Sequence, residues 1–188
     1  MKKTLLISAL IVLFFSQCDK GNDPFLIKNG AIGELTEKIH MKQIDSIFVG
    51  DSIVKLNPDV NALGTQGEVE IYEKGGVKLL LLSPDDEYDP ESLITNIQVF
   101  DDRFKTEKGL SKSSNFKFVK DNYTISNIES TINSVVVFLV DSDIYLTIDK
   151  KQLPENLRYD PSITIEASQI PDDATFKYFM IGWDYEEN

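Results

Sequence analysis

The sequence is poor in the residues that build disulfides, zinc sites and thiol nucleophiles. Its 188 residues include one cysteine, Cys18, and one histidine, His40. A disulfide needs two cysteines, and structural zinc needs several thiolate or imidazole ligands. A serine hydrolase would need His40 beside a serine on a Gly-x-Ser-x-Gly turn, and this motif is absent from the sequence. The fold must therefore rest on its hydrophobic core, and we predict that His40 is structural or solvated.

Basic residues are also scarce. The chain has 19 lysines and arginines against 31 aspartates and glutamates, which gives a net charge of −12. Loss of residues 1–17, argued below, removes Lys2 and Lys3 and brings the net charge to −14. So acidic a chain repels nucleic acid and anionic lipid headgroups. We therefore exclude nucleic acid as a partner and expect any membrane attachment to use a lipid rather than a basic patch.

Only one long apolar run is present, at the start of the chain. Leu5–Phe15 is apolar except for Ser8, and it follows Met1-Lys2-Lys3. This length suits the apolar region of a signal peptide and falls short of the roughly 20 residues that a membrane-spanning helix needs. The pattern predicts that residues 1–17 are a signal peptide that is removed.

The run ends at Phe15-Ser16-Gln17-Cys18, which resembles a bacterial lipoprotein signal with cysteine as the first mature residue. Phe15 and Gln17 depart from the usual residues, as do the looser signals of the Bacteroidota, and the whole chain resembles small lipoproteins of that phylum. The resemblance implies acylation of Cys18, palmitate included, and attachment to the cell envelope, with the outer membrane expected. Its periplasmic and outer faces both stay open. The alternative is an ordinary signal peptide cut nearby, with Cys18 a bystander.

The rest of the chain predicts a tether over residues 18–24 and an α+β domain over residues 25–188. Helical spacing of apolar residues occurs at Met41–Phe48 and at Phe116–Tyr123. Strand patterns occur at Ile53–Leu56, Glu68–Glu73, Val77–Leu82, Ile94–Phe100, Thr124–Ile128, Val135–Val140, Ile144–Ile148, Ile163–Ile165 and Phe176–Trp183. Strands and helices do not alternate as in parallel sheets, so we expect antiparallel sheets with short helices packed on one face.

The two helical segments suggest an internal repeat. An offset of 75 residues aligns Met41 with Phe116, Ile44 with Val119 and Phe48 with Tyr123. A glycine turn precedes each segment, which predicts a tandem duplication of a helix-plus-four-strand unit over residues 25–105 and 106–188. This pattern resembles the modules of the outer-membrane assembly lipoprotein BamE and of the tandem β-lactamase-inhibitor protein, which implies protein binding without catalysis. The alternative is no duplication, because any two amphipathic helices match at this spacing.

Acidic residues offer two kinds of candidate site. The loop from Pro84 to Glu91 is rich in carboxylates, and calcium would find its ligands in Asp85, Asp86 and Asp89. A solvated turn is the alternative, because the loop lacks the EF-hand spacing. Carboxylate pairs that a glycoside hydrolase could use fall at predicted turns, where acids are common. These pairs are Asp101-Asp102, Asp141/Asp143 and Asp172-Asp173.

Aromatic residues are densest near the C-terminus. If exposed, they would form a binding surface of Tyr178, Phe179, Trp183 and Tyr185 for a glycan or a protein. The alternative is a central strand that is buried on both faces. Asp51-Ser52-Ile53 also resembles the short sequon at which Bacteroidota glycosylate exported proteins, which makes Ser52, in a predicted loop, a candidate for O-glycosylation.

These observations favour a non-catalytic envelope lipoprotein that binds or scaffolds a protein partner, without a cofactor. The alternative is a glycan-binding accessory lipoprotein that uses the C-terminal aromatic residues. A hydrolase with a site that the sequence does not reveal comes third, and we expect the protein not to be an enzyme.

Overall fold

The computed structural model describes residues 23–56, 67–89, 91–159 and 163–183. In these ranges the chain is a sheet-rich α+β fold with two sheets and few short helices, as expected for its class. The strands are β1 (Leu26–Lys28), β2 (Ala31–Ile32), β3 (Leu35–Thr36), β4 (Ser52–Leu56), β5 (Glu68–Tyr72), β6 (Lys78–Pro84), β7 (Ile94–Val99), β8 (Lys105–Thr106), β9 (Ile125–Ser130), β10 (Ser134–Leu139), β11 (Ile144–Asp149) and β12 (Tyr178–Gly182).

Helical structure is short throughout. Helix α1 covers Ile44–Ile47, directly after a 3-10 turn at Met41–Gln43, and helix α2 covers Phe116–Asn122. Further 3-10 turns lie at Lys150–Gln152, Glu155–Leu157 and Ala167–Gln169. Both predicted helices are therefore present, the first of them partly as a 3-10 turn.

The larger sheet has eight strands in the order β4-β5-β6-β7-β12-β11-β10-β9, and every neighbouring pair is antiparallel. A helix followed by four strands thus occurs twice along the chain. The last strand of each set, β7 and β12, pairs in the middle of the sheet, with Ile97 opposite Ile181 and Val99 opposite Phe179. Eight of the nine predicted strands are present. The ninth, Ile163–Ile165, is wrong, because these residues join no ladder although Ile165 is buried.

The smaller sheet was not predicted. Its order is β3-β2-β1-β8, with β1 antiparallel to β2 and parallel to β8. The turn between β2 and β3 needs glycine, since Gly33 has a φ of +57° and a Cβ there would lie 2.3 Å from the carbonyl oxygen of Pro24. This sheet ties the N-terminal segment to the connection between the two sets of strands.

One face of the larger sheet carries the core. Residues in register share a face because side chains alternate along a strand. Each member of one such row, from β5 to β10, is at most 1% exposed, namely Ile71, Leu80, Val99, Phe179 and Leu146, followed by Val137. Met41 and Ile44 of the first helical segment, and Phe116 and Val119 of α2, belong to the same core. We call this side of the sheet the covered face.

The alternation predicts a sharp difference between two adjacent residues of β12. Phe179→Ala should lower the free energy of unfolding by about 3–5 kcal/mol, because it opens a cavity in the covered face. Tyr178→Ala should change it by about 1 kcal/mol or less, because Tyr178 is 39% exposed on the other side. Urea unfolding of both variants measures the difference, and equal losses would contradict the assignment of faces.

Candidate functional site

The second side of the larger sheet, here the open face, is only half-buried in the described residues. One row across it runs through six neighbouring strands, from Glu70 through Leu81, Gln98, Met180 and Tyr145 to Phe138. Each of these side chains keeps part of its surface exposed, whereas the neighbouring core row is buried. An antiparallel sheet with one face on the core can therefore present its other face to a partner.

The middle of the open face on β10, β11 and β12 carries no charged side chain, and Asp149 lies at its end on β11. We call its apolar and aromatic residues the aromatic patch: Val136, Phe138, Tyr145, Tyr178 and Met180. At the matching second strand of the first set, β5, the open face carries Glu68 and Glu70 instead of Val136 and Phe138. In a chain with a net charge of −12, this patch stands out for its lack of charge.

Contacts within the sheet fix the patch in place. The rings of Phe138 and Tyr145 stack with centroids 5.8 Å apart, and the Tyr145 hydroxyl donates to Asn96 Oδ1 at 2.9 Å. The Tyr145 ring lies over Gly182, where a Cβ would come within 3.1 Å of it. Burial raises the pKa of Tyr145, so its hydroxyl stays protonated and neutral at physiological pH. The patch is thus preorganised and its five side chains are uncharged, although the Lys177 ammonium lies 5.1 Å from the centroid of the Tyr178 ring.

The opposite half of the open face holds an ion-pair cluster. Glu70 accepts hydrogen bonds from Lys78 Nζ at 2.5 Å and from the Tyr72 hydroxyl at 2.7 Å. The Lys78 ammonium also lies 4.1 Å from the centroid of the Phe100 ring. These donors lower the pKa of Glu70, chiefly the hydrogen bond from Lys78. The two halves of the open face therefore differ in charge, although each half consists of four antiparallel strands.

The predicted aromatic surface is wrong for two of its four residues. Phe179 is 0% exposed and Trp183 is 3% exposed, because both point to the covered face with Ile181. Neither ring can stack on a ligand from outside. Tyr178 alone lies on the open face as expected, and Tyr185 lies outside the described residues.

The aspartates proposed for calcium do not converge. Asp86 Oδ1 accepts from the backbone N–H of Tyr88 at 2.8 Å, and Asp89 Oδ1 accepts from that of Glu91 at 2.8 Å, so both shape turns. Asp85 joins them in no ligand set, since the part of the chain that the structure describes holds no group of three acidic, histidine or cysteine side chains fit for a metal. The calcium hypothesis has no geometric support in these residues.

His40 and one acid of each remaining pair have structural contacts. His40 lies beside Leu93 in an isolated bridge, and its Nδ1 contacts the carbonyl oxygen of Glu91. Asp101 accepts two hydrogen bonds from the Arg103 side chain and one from its backbone N–H, and they lower the pKa of Asp101. The partners of the other two pairs are the backbone N–H of Gly30 for Asp143 and the ammonium of Lys120 for Asp172.

Two modification candidates remain. Ser52 is exposed, but it is the first residue of β4 rather than part of a loop, which corrects the predicted setting of the sequon. Cys18 lies outside the described residues. Among the residues that the structure describes, no helix is long and apolar enough to cross a bilayer.

Sequence reasoning also missed a cleft of about 550 Å³ between β1, β8 and the turn from β10 to β11. Its lining mixes cations such as Lys28 with anions such as Asp141. The hydroxyls of Thr106 and Tyr123 satisfy each other at 2.6 Å. The cleft therefore lacks a convergent set of free groups of one chemistry, and we regard the aromatic patch as the better candidate site.

Comparisons with known proteins add information on the fold alone. No protein-family model matches the chain, and a search of curated protein sequences gives no match. The chain is similar to the crystal structure of the uncharacterized protein YfeY from Escherichia coli, with a TM-score of 0.51 and 14% sequence identity. The alignment covers 84% of this chain and 98% of that protein. At this identity the likeness shows a shared fold.

The Glu70 cluster predicts an acid-sensitive contribution to stability. The pKa of Glu70 is lowered in the folded chain, so its stabilising effect is full above the ordinary glutamate pKa and is lost as pH falls through the folded value. Carbon-detected NMR titration should find a Glu70 midpoint below the ordinary range. Lys78→Met should raise that midpoint because it removes the principal donor, and an unchanged midpoint would contradict the assignment.

Proposed function

We propose that this chain is a non-catalytic, lipid-anchored envelope protein that binds a protein partner through its aromatic patch. The observation that carries the proposal is an uncharged, aromatic surface on the open face of a sheet in a strongly acidic chain. The centres of protein interfaces are depleted in charge and enriched in tyrosine, phenylalanine and methionine. The patch has this composition.

The rigidity of the patch supports binding without a large entropic cost. Its residues stand on paired strands, and Tyr145 is held by Asn96 and by the ring of Phe138. Surfaces that are already ordered lose little conformational freedom when a partner binds. This arrangement favours recognition and supplies no nucleophile or general base.

A glycan ligand is less well supported. Stacking on a sugar needs exposed ring faces, and the buried positions of Phe179 and Trp183 remove two of the expected platforms. Phe138 and Tyr145 cover one face of each other's ring. Tyr178 is left as the most exposed aromatic residue of the patch.

We also propose a tandem duplication of a helix-plus-four-strand unit, with boundaries near residues 25–105 and 106–188. Equivalent contacts at the two helices support it. The backbone N–H of Met41 donates to Ser92 O at 2.9 Å, and that of Phe116 donates to Ala174 O at 2.8 Å. These donors are the aligned residues of the offset of 75, and the residue before each forms an isolated bridge. Such a repeat is compatible with the resemblance to BamE-like and inhibitor-like modules that bind proteins.

The proposed anchor would keep the patch near a membrane. Four residues lie between Cys18 and Asp23, the first described residue, so the five steps from Cα to Cα span at most about 17 Å when extended. We place the chain on the outer membrane of the cell envelope, on either its periplasmic or its outer face.

Photo-crosslinking in intact cells tests the patch as the binding surface. A photoreactive residue at Tyr178 should give a protein adduct of constant mass, and the same residue at Val54 should not. Val54 is a matched control because it is 43% exposed, against 39% for Tyr178, on the same face of the sheet's first half. Phe138→Ser should remove the adduct at 178. Polysaccharide adducts alone would favour the glycan alternative, and equal adducts at both positions would contradict the proposal.

Cys18→Ser tests the anchor separately. The variant should leave the membrane fraction and remain folded, because the acidic chain has no basic patch to hold it on anionic lipid. Fractionation followed by far-UV circular dichroism measures both properties. A variant that still sediments with membranes would show that another attachment exists.

A further inference from the structure

Strand β9 is a free edge of the larger sheet among the described residues. It is the last strand in the sheet order and pairs with β10 on one side only. Natural edge strands are usually protected by lysine, proline or an inward charge, because unpaired backbone groups invite another strand. The six residues of β9, Ile-Ser-Asn-Ile-Glu-Ser, contain no lysine, arginine or proline.

The hydrogen-bond pattern identifies the backbone groups that face outward. The N–H of Thr131 donates to Ser134 O, which closes the turn between β9 and β10 as a hydrogen-bonded pair. Hydrogen-bonded and non-bonded pairs alternate along an antiparallel ladder. Glu129 and Asn127 therefore direct their backbone groups toward β10. Ile128 and Ser130 direct theirs to the free edge.

The sequence of β9 is complementary to itself about Ile128. In an antiparallel pair of two copies centred there, Ile128 lies opposite Ile128 of the second copy, and Asn127 lies opposite Glu129 of the second copy. The outward backbone groups of the two Ile128 residues then bond to each other. Centring on Glu129 would instead place two like charges directly opposite, which destabilises a strand pair. An amide opposite a carboxylate is a favourable pair.

We propose that two copies of this chain associate through antiparallel pairing of their β9 strands, centred at Ile128, to form one continuous sheet. Asn127 and Glu129 lie in register with Phe138 and Val136, so the open faces of both copies become one surface. The two Phe138 residues are then three strand spacings apart across the sheet, roughly 14 Å in that direction. The pairing rests on the strand geometry and does not depend on the function proposed above.

The strand at the other edge of the sheet, β4, carries the protection against pairing that β9 lacks. Strand β4 carries Lys55, whose ammonium contacts Asp45 Oδ2 at 2.9 Å at the end of the sheet. Pairing about Val54 would place Lys55 opposite Ile53 of a second copy. A lysine on an edge strand is the usual protection against such pairing.

The association is weak in solution. One strand pair buries less than the roughly 1,200 Å² of a stable interface, and both mature copies carry a net charge of −14. Salt screens this repulsion and should favour the dimer. Attachment to a membrane raises the effective concentration in the same direction.

Disulfide trapping tests both the pairing and its register. In the mature chain with Cys18→Ser, Asn127→Cys and Glu129→Cys are prepared as separate single-cysteine proteins and then mixed. The proposed register places positions 127 and 129 of opposite copies about 4.5 Å apart between Cα atoms, within the range of a disulfide. Identical positions lie beyond about 7 Å and cannot be bridged without backbone movement. The mixture should therefore form disulfide dimers several-fold faster than either protein alone.

Val54→Cys serves as the collision control on the other edge, because Val54 is exposed like Asn127 and Glu129. Sedimentation velocity of the Cys18→Ser chain at rising concentration and salt should show a reversible dimer. Ser130→Pro should abolish it, since it removes an outward N–H and leaves the ladder to β10 intact. A melting temperature of the Ser130→Pro variant near that of the Cys18→Ser chain verifies that the variant is folded. Trapping in the mixture no faster than with Val54→Cys, or a monomer at every concentration and salt, would overturn the proposal.

Discussion

The pairing of β7 with β12 holds the two halves of the chain in one sheet. These strands end their respective sets, and their antiparallel ladder places Ile97 and Val99 against Ile181 and Phe179. All four side chains are 0% exposed. With no disulfide available from a single cysteine, this apolar seam is the contact on which an eight-stranded sheet, rather than two separate four-stranded ones, depends. In the joined sheet, the covered face and the open face differ in burial.

Buried residues of both helical segments and of the small sheet belong to the same core as one face of that sheet, whereas the other face stays partly exposed in the described residues. The apolar core takes alternate residues of β5, β10 and β12, and the residues between them differ between the halves. On β5 the free positions carry Glu68 and Glu70, and on β10 they carry Val136 and Phe138. Stability constrains one face, so the composition of the other can serve recognition. The aromatic patch is our proposal for that use.

The sequence predicted the long elements well, because their apolar residues repeat with clear periods. It missed β1, β2, β3 and β8, since two or three residues show no period and their pairing depends on distant partners. The segment at Ile163–Ile165 has a strand-like composition, yet Ile165 is buried without any ladder. The apolar pattern alone does not distinguish a residue buried in a paired strand from one buried in an irregular segment.

The candidate site was predicted only in part, because the sequence does not reveal which face of a strand is exposed. Tyr178 and Met180 lie on one face of β12, and Phe179 and Ile181 lie on the other. The sequence could not tell which group faced the core, because both are apolar. Phe138 and Tyr145 were hidden for the same reason, since a strand that is apolar on both faces reads as fully buried. Only the covered side of the sheet, known from the three-dimensional packing, assigns them to the surface.

Hydroxyl-radical footprinting of the patch in cells and in isolation measures the central claim most directly. In the purified mature protein, Tyr178 and Met180 should be modified readily and Phe179 should be spared. In intact cells a bound partner should protect Tyr178 and Met180, while exposed Val54 on the other half of the same face keeps its reactivity. Equal modification of Tyr178 and Met180 in cells and in isolation would contradict the account of the open face as a binding surface.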